Sequence, residues 1–156
     1  MEQVQLQAEL PLSGDTKLSG KPIIALDGDG VLLDYSLAYA PLWERAFGYR
    51  PVERDKDAYS PLDRWAVERL EGERLATLQA CMDEHFWSTM PPCARAVAAC
   101  HRLHDAGFEL VCVSALPLQF EAARLRNLRE VDFPIERVIA TGSAVEGRSP
   151  KADALE

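Results

Sequence analysis

The spacing of apolar positions changes several times along the chain, and each change marks an element. Ile23-Ile24-Ala25-Leu26 is an unbroken apolar run that stops at Asp27-Gly28-Asp29-Gly30. A short run of this kind, two of its members β-branched and turn residues at its end, predicts a buried strand that ends at the first carboxylate. From Leu37 the interval becomes helical. Ala40, Trp43, Ala46 and Phe47 follow at three and four up to Gly48, which predicts a helix with a glycine stop. Arg50 to Ser60 is charged and rich in turn residues. Leu62, Trp65, Ala66 and Leu70, then Leu75, Leu78, Met82 and Phe86, resume the helical interval, and Pro91-Pro92 ends it because neither proline can continue a preceding helix. Cys93 to Ala106 predicts an amphipathic helix stopped by Gly107, Phe108 to Val113 a second buried strand, and Ala115 to Glu130 another helix. Arg137 to Ala140 is a short third strand, and Ser149-Pro150-Lys151 carries the cap, first-position proline and first-turn lysine of a final helix. Strands alternating with helices make an α/β pattern. Its parts are a polar tail over 1–20, a core over 21–34 and 92–156, and a helical insertion over 35–91.

Three places in this pattern carry candidate chemistry. Asp27 and Asp29 fall at the carboxyl end of the first strand, the edge at which open α/β sheets bind ligands. The break at Gly28 lets the second acid swing toward the first, and two close carboxylates suit a divalent cation or a nucleophile and proton-donor pair. Turn chemistry alone also accounts for Asp-Gly-Asp-Gly. An EF-hand does not, because Leu32 and Leu33 fall inside the loop and Ala38 stands where the bidentate Glu belongs. Ser114 follows the second strand, where a hydroxyl and nearby N–H groups can receive an anion or cap a helix. Lys151 sits in a helix's first turn, where the dipole disfavours a cation. That misfit hints at function, and an exposed surface lysine is the alternative. The four cysteines, at 81, 93, 100 and 112, show no C-x-x-C spacing, and Cys100 with His104 lacks a second ligand pair, so no zinc site is expected.

Composition narrows the partners. A chain of 156 residues, 47% of them hydrophobic, suffices for one domain with a core of its own. A formal net charge of −8 repels nucleic-acid polymers and anionic membranes at long range. No apolar run approaches a membrane span and residues 1–20 lack a secretory signal, so a cytoplasmic protein is expected. Nine of the twelve aromatics lie between Tyr35 and Trp87, which gives the insertion the large side chains a small helical core needs.

Asp27-Gly28-Asp29-Gly30-Val31-Leu32 at the end of an apolar strand resembles the first motif of the haloacid dehalogenase-like (HAD) hydrolase superfamily, D-x-D-G-[VT]-[LI]. Ser114 and Lys151 match its second and third motifs in order and context. The resemblance implies a Rossmann-like three-layer core with a parallel sheet and a helical cap inserted after the first strand. It also implies hydrolysis of a small phosphorylated metabolite, nucleotides included, with Mg²⁺ held by Asp27 and Asp29. In that scheme Asp27 is the nucleophile, Asp29 the acid and base, Ser114 the phosphoryl hydrogen-bond partner and Lys151 the counter-charge. Gly28, Gly30 and Ala115 would border the substrate, and Tyr39, Trp43, Tyr59 and Trp65, as in small 5'-nucleotidase-like caps, would offer a wall for a nucleobase. The family's fourth motif, an acidic pair after one more strand, is not reached by Glu156. The expectation is therefore either a working protein longer than this chain or a catalytically silent relative that binds a phosphorylated ligand or a protein. An open sheet edge would also allow a homodimer. A glycosyltransferase's D-x-D motif is a third reading, which leaves Ser114 and Lys151 without a role.

Overall fold

Residues 20–142, together with Lys151 and Ala154, are described by a computed structural model. Three parallel strands form its sheet: Ile23–Asp27 (β1), Glu109–Ser114 (β2) and Arg137–Ala140 (β3), in the order β1-β2-β3. The register sets Asp27 beside Val113 and Ser114 beside Ala140, so the strand ends that carry the candidate residues are level. β2 has a neighbour on each side, and its residues from Leu110 to Ser114 are buried. β1 does not match the buried strand its sequence predicts. Among the described residues it is paired on one side only, its residues alternate between exposed and half-buried, and Ile23 is 44% exposed. Parallel neighbours require long crossovers, and these supply the helices.

The first crossover holds the insertion and one further helix. Tyr35–Phe47 (α1) begins where the Asp34 carboxylate accepts the Leu37 N–H at 2.7 Å, and ends at Gly48, whose φ of 82° only glycine adopts cheaply. The helical interval over 62–70 yields just one turn, Pro61–Arg64 (α2). Trp65 instead turns extended, bridges to Glu53 and donates its indole N–H to the Ser36 carbonyl at 2.6 Å. Gly72–Ala80 (α3) and Glu84–Ser88 (α4) are separated at Asp83, whose carboxylate accepts the Phe86 N–H as the cap of the second helix. Ala96–Asp105 (α5) starts later than its pattern suggests because Arg95 is left-handed, with φ of 66°. The second crossover is a 3-10 turn at Leu118–Phe120 followed by Glu121–Glu130 (α6).

Insertion and sheet share one core. A single buried cluster runs from Leu32, Trp43 and Trp87 to Cys112, Leu128 and Val138. Asn127, 1% exposed, joins the two parts by accepting the Met90 N–H and donating to the Met90 carbonyl, both at 2.9 Å. Paired this way, a buried amide carries little desolvation cost. Among the described residues no helix is long and apolar enough to cross a membrane.

Candidate active site

The turn after β1 is held from within. Leu32 and Leu33 both donate their N–H groups to the Gly28 carbonyl at 3.0 Å, Gly30 donates to the Leu33 carbonyl at 2.8 Å, and both leucines are buried. Gly30 has a φ of 78°, and a Cβ there would meet the Tyr59 ring at 2.5 Å. Apolar anchors thus fix the turn from below, and the two carboxylates remain at its rim.

Each carboxylate faces a cation from a distant part of the chain. Lys151 Nζ lies 2.8 Å from Asp27 Oδ1, with side chains 34% and 43% exposed. Arg124 Nη2 donates to Asp29 Oδ1 at 2.7 Å from a guanidinium that is 0% exposed. Arg124 also lies over the Trp87 ring, 5.4 Å from its centroid. The Ser114 hydroxyl is fully buried with no partner among the described residues. It lies against Gly28, where an added Cβ would come within 3.0 Å of Ser114 Oγ and 3.1 Å of Arg124 Nη1. Asp27, Asp29, Ser114 and Lys151 are therefore gathered at the carboxyl edge of the sheet. Ser149 and Pro150, read as the cap and first position of the last helix, lie outside the described residues. Ser114 itself stands at the end of β2 well before α6, so it caps no helix.

A cavity of about 240 Å³ opens beside this tip, bordered by Asp29, Gly30, Tyr35, Tyr59, Arg64 and Cys93 among others. Of the aromatic wall expected on Tyr39, Trp43, Tyr59 and Trp65, Tyr59 borders this cavity, and Tyr39, Trp43 and Trp65 do not. Those side chains are 8%, 0% and 4% exposed and belong to the core, where aromatics at helical spacing normally pack. Ala115 faces a different hollow, beside Trp87 and Phe120. The rings at the cavity are Tyr35 and Tyr59. Burial, reinforced by the charge of Asp29, pushes the Tyr35 phenol up to about 12. Burial likewise raises the Cys93 thiol to about 11, with Asp34 and Asp29 adding to it. Arg64, 11% exposed, is held by Asp34 at 3.4 Å and Glu53 at 3.1 Å.

Among the described residues no group of three or more His, Cys, Asp or Glu side chains could hold a metal ion. What the tip offers is two carboxylates, the number with which Mg²⁺ is ordinarily held when substrate phosphate and water complete its shell. The donor set fits that ion in kind. No family model matches the chain, and no curated protein matches it. Arg124 is the site residue that sequence reading passes over. Glu121 to Glu130 contains three arginines at positions that look equally solvated, and only burial separates Arg124 from Arg126 and Arg129.

Proposed function

We propose that this chain hydrolyses a small phosphate monoester through an aspartyl-phosphate on Asp27, within a Rossmann-like three-layer core capped by the insertion. The observation that carries this reading is the 2.8 Å contact between Lys151 and Asp27 at the tip of β1, beside Ser114 on the next strand. A carboxylate neighbouring an ammonium is a nucleophile set next to the counter-charge that a transferring phosphoryl group requires. Asp27 attacks phosphorus, and the bond from phosphorus to the leaving oxygen breaks. Asp29 gives that oxygen its proton from the carboxyl oxygen not engaged by Arg124. Asp29 then takes a proton from water, the hydroxide attacks the aspartyl-phosphate, and inorganic phosphate leaves with Asp27 regenerated. Ser114 and Lys151 orient and neutralise the phosphoryl oxygens throughout. Mg²⁺, held by the Asp27 carboxylate and, as the resemblance implies, the Asp29 backbone carbonyl, would supply Lewis-acid charge neutralisation to the same oxygens.

A catalytically silent domain that binds a phosphorylated ligand is the second reading, favoured by one observation: both carboxylates already face a cation, and no third acid joins them among the described residues. An aryl phosphate assayed with and without Mg²⁺ separates the two. The hydrolase reading requires Mg²⁺-dependent turnover that falls by about three orders of magnitude or more in Asp27→Asn. It also requires phosphate on Asp27 in acid-quenched protein. Phosphate binding by folded protein without turnover establishes the silent domain instead.

A further inference from the structure

Arg124 is the most completely buried charge among the described residues, and it stands in an uneconomical place. Its guanidinium is 0% exposed, one nitrogen reaches Asp29, and Nε and Nη1 have no hydrogen-bond partner among the described residues. Each unpartnered buried donor is a cost to folding, and a buried ion pair is often no better for stability than apolar side chains of equal volume. Part of its surroundings is apolar, with the Trp87 ring 5.4 Å from the guanidinium carbon. Stability therefore does not explain an arginine here, and a buried polar group that stability does not explain points to function.

We propose that Arg124 is a positioning residue that fixes the Asp29 carboxyl in one orientation, and that it ties this orientation to the insertion through Trp87. The inference rests on the hydrolase reading for its catalytic consequence, though not for the clamp itself. The geometry is a fixed donor on a fixed platform. α6 brings Arg124 under the turn, the ring of Trp87 on α4 lies below the guanidinium, and the 2.7 Å bond to Oδ1 leaves the second carboxyl oxygen of Asp29, a residue that borders the cavity, unbound by Arg124. Asp29, 32% exposed, would otherwise sample several rotamers, and a short charge-assisted bond from a guanidinium that is itself fully buried anchors one of its oxygens. A proton delivered from a carboxyl in a single orientation matters most where the leaving oxygen most needs it.

The test compares wild type with Arg124→Met and Arg124→Lys in two independent measurements. In crystal structures, the Asp29 carboxyl should keep one orientation in wild type and take more than one in Arg124→Met. In kinetics, kcat/KM for phosphate esters whose leaving alcohols span a wide acidity range should fall more steeply with poorer leaving groups in Arg124→Met. The loss should be at least tenfold for an alkyl phosphate and small for a nitrophenyl phosphate, and Arg124→Lys should recover part of it. A merely structural arginine would lower the melting temperature and all substrates alike. An unchanged Asp29 orientation, or equal losses across the ester series, overturns the proposal. A wild type that hydrolyses nothing, while Asp29 loses its single orientation in Arg124→Met, retains the clamp and refutes the hydrolase reading alone.

Discussion

Gly28 is the position at which a single added methyl group tests the geometry of the site most directly. In Gly28→Ala the new Cβ would stand 3.0 Å from Ser114 Oγ, 3.1 Å from Arg124 Nη1 and 3.3 Å from Ser114 Cβ. Comfortable separations between such atoms begin near 3.5 Å, so each neighbour must give by a few tenths of an ångström. None can do so cheaply. Ser114 is locked in β2, with its carbonyl accepting the Thr141 N–H at 2.9 Å, and Arg124 is held between Asp29 and Trp87. Overpacking of this kind costs about 1–3 kcal/mol. For a chain of this length that is a melting temperature lower by about 3–10 °C. Gly30→Ala is the matched control. Its strain is mainly the left-handed backbone, about 1–2 kcal/mol. The atom it meets belongs to Tyr59, whose ring is 74% exposed and free to swing aside. Calorimetric melting should therefore show losses of the same order in both variants. Turnover per folded molecule should fall further in Gly28→Ala, because only there do the serine hydroxyl and the guanidinium move. A Gly28→Ala protein with wild-type melting and wild-type turnover would refute the packing described for Ser114 and Arg124.

Two further outcomes follow from groups away from the reacting atoms. The Arg45 guanidinium, 2.7 Å from Asp83, holds that carboxyl down at about 2. Its contribution is therefore present above the ordinary carboxylate range and lost as the pH falls through about 2. With the pair largely exposed it amounts to about 1 kcal/mol or less. Asp83→Asn keeps a capping side chain for α4, so its melting deficit at pH 6 should be small and should disappear near pH 2. A deficit independent of pH would contradict the pairing. Cys93, raised to about 11 by burial at the cavity, should react slowly with iodoacetamide at pH 8 and faster only above about pH 10. Peptide mapping that finds Cys93 fully labelled within minutes at pH 8 would show the cavity wall to be open.

What the sequence discloses here is what short-range signals encode. The start of β1, the stop of α1 at Gly48 and both ends of β3 depend on turn residues, glycine and apolar runs within a few positions, and they match the structure. The segment after α2 depends on something distant. Leu62, Trp65, Ala66 and Leu70 keep a helical interval, yet Trp65 takes a ψ of 148° because pairing with Glu53 and a bond to Ser36 outweigh local preference. The same limit applies to β1, whose apolar run gives no sign that the strand is paired on one side only, and to Arg124, whose burial depends on α6 packing against α4. Aromatic periodicity in α1 proved to be core: Tyr39 and Trp43 are spaced for packing, whereas Tyr35, one turn before Tyr39, reaches the cavity. Which residues stand at the strand tips was more legible than the walls around them, since a strand end fixes where a side chain emerges and a pocket wall is assembled from many elements.

Two cations rest on two carboxylates at one strand tip, and they differ in what holds them. The pair between Lys151 and Asp27 is about a third exposed on one side and more on the other. A pair so placed is worth about 1 kcal/mol or less, because water serves both ions nearly as well. The pair between Arg124 and Asp29 has a guanidinium without solvent, and separating it would strand a buried charge at several times that cost. An arriving phosphate dianion can therefore draw the lysine away from Asp27 at small expense and cannot draw the arginine away from Asp29. In the proposed reaction this asymmetry sets an order. Lys151 transfers to the phosphoryl oxygens first, Asp27 is thereby released to attack, and Asp29 keeps the same orientation before and after. A tip with two exchangeable cations would leave the proton donor loose, and one with two fixed cations would leave the nucleophile masked.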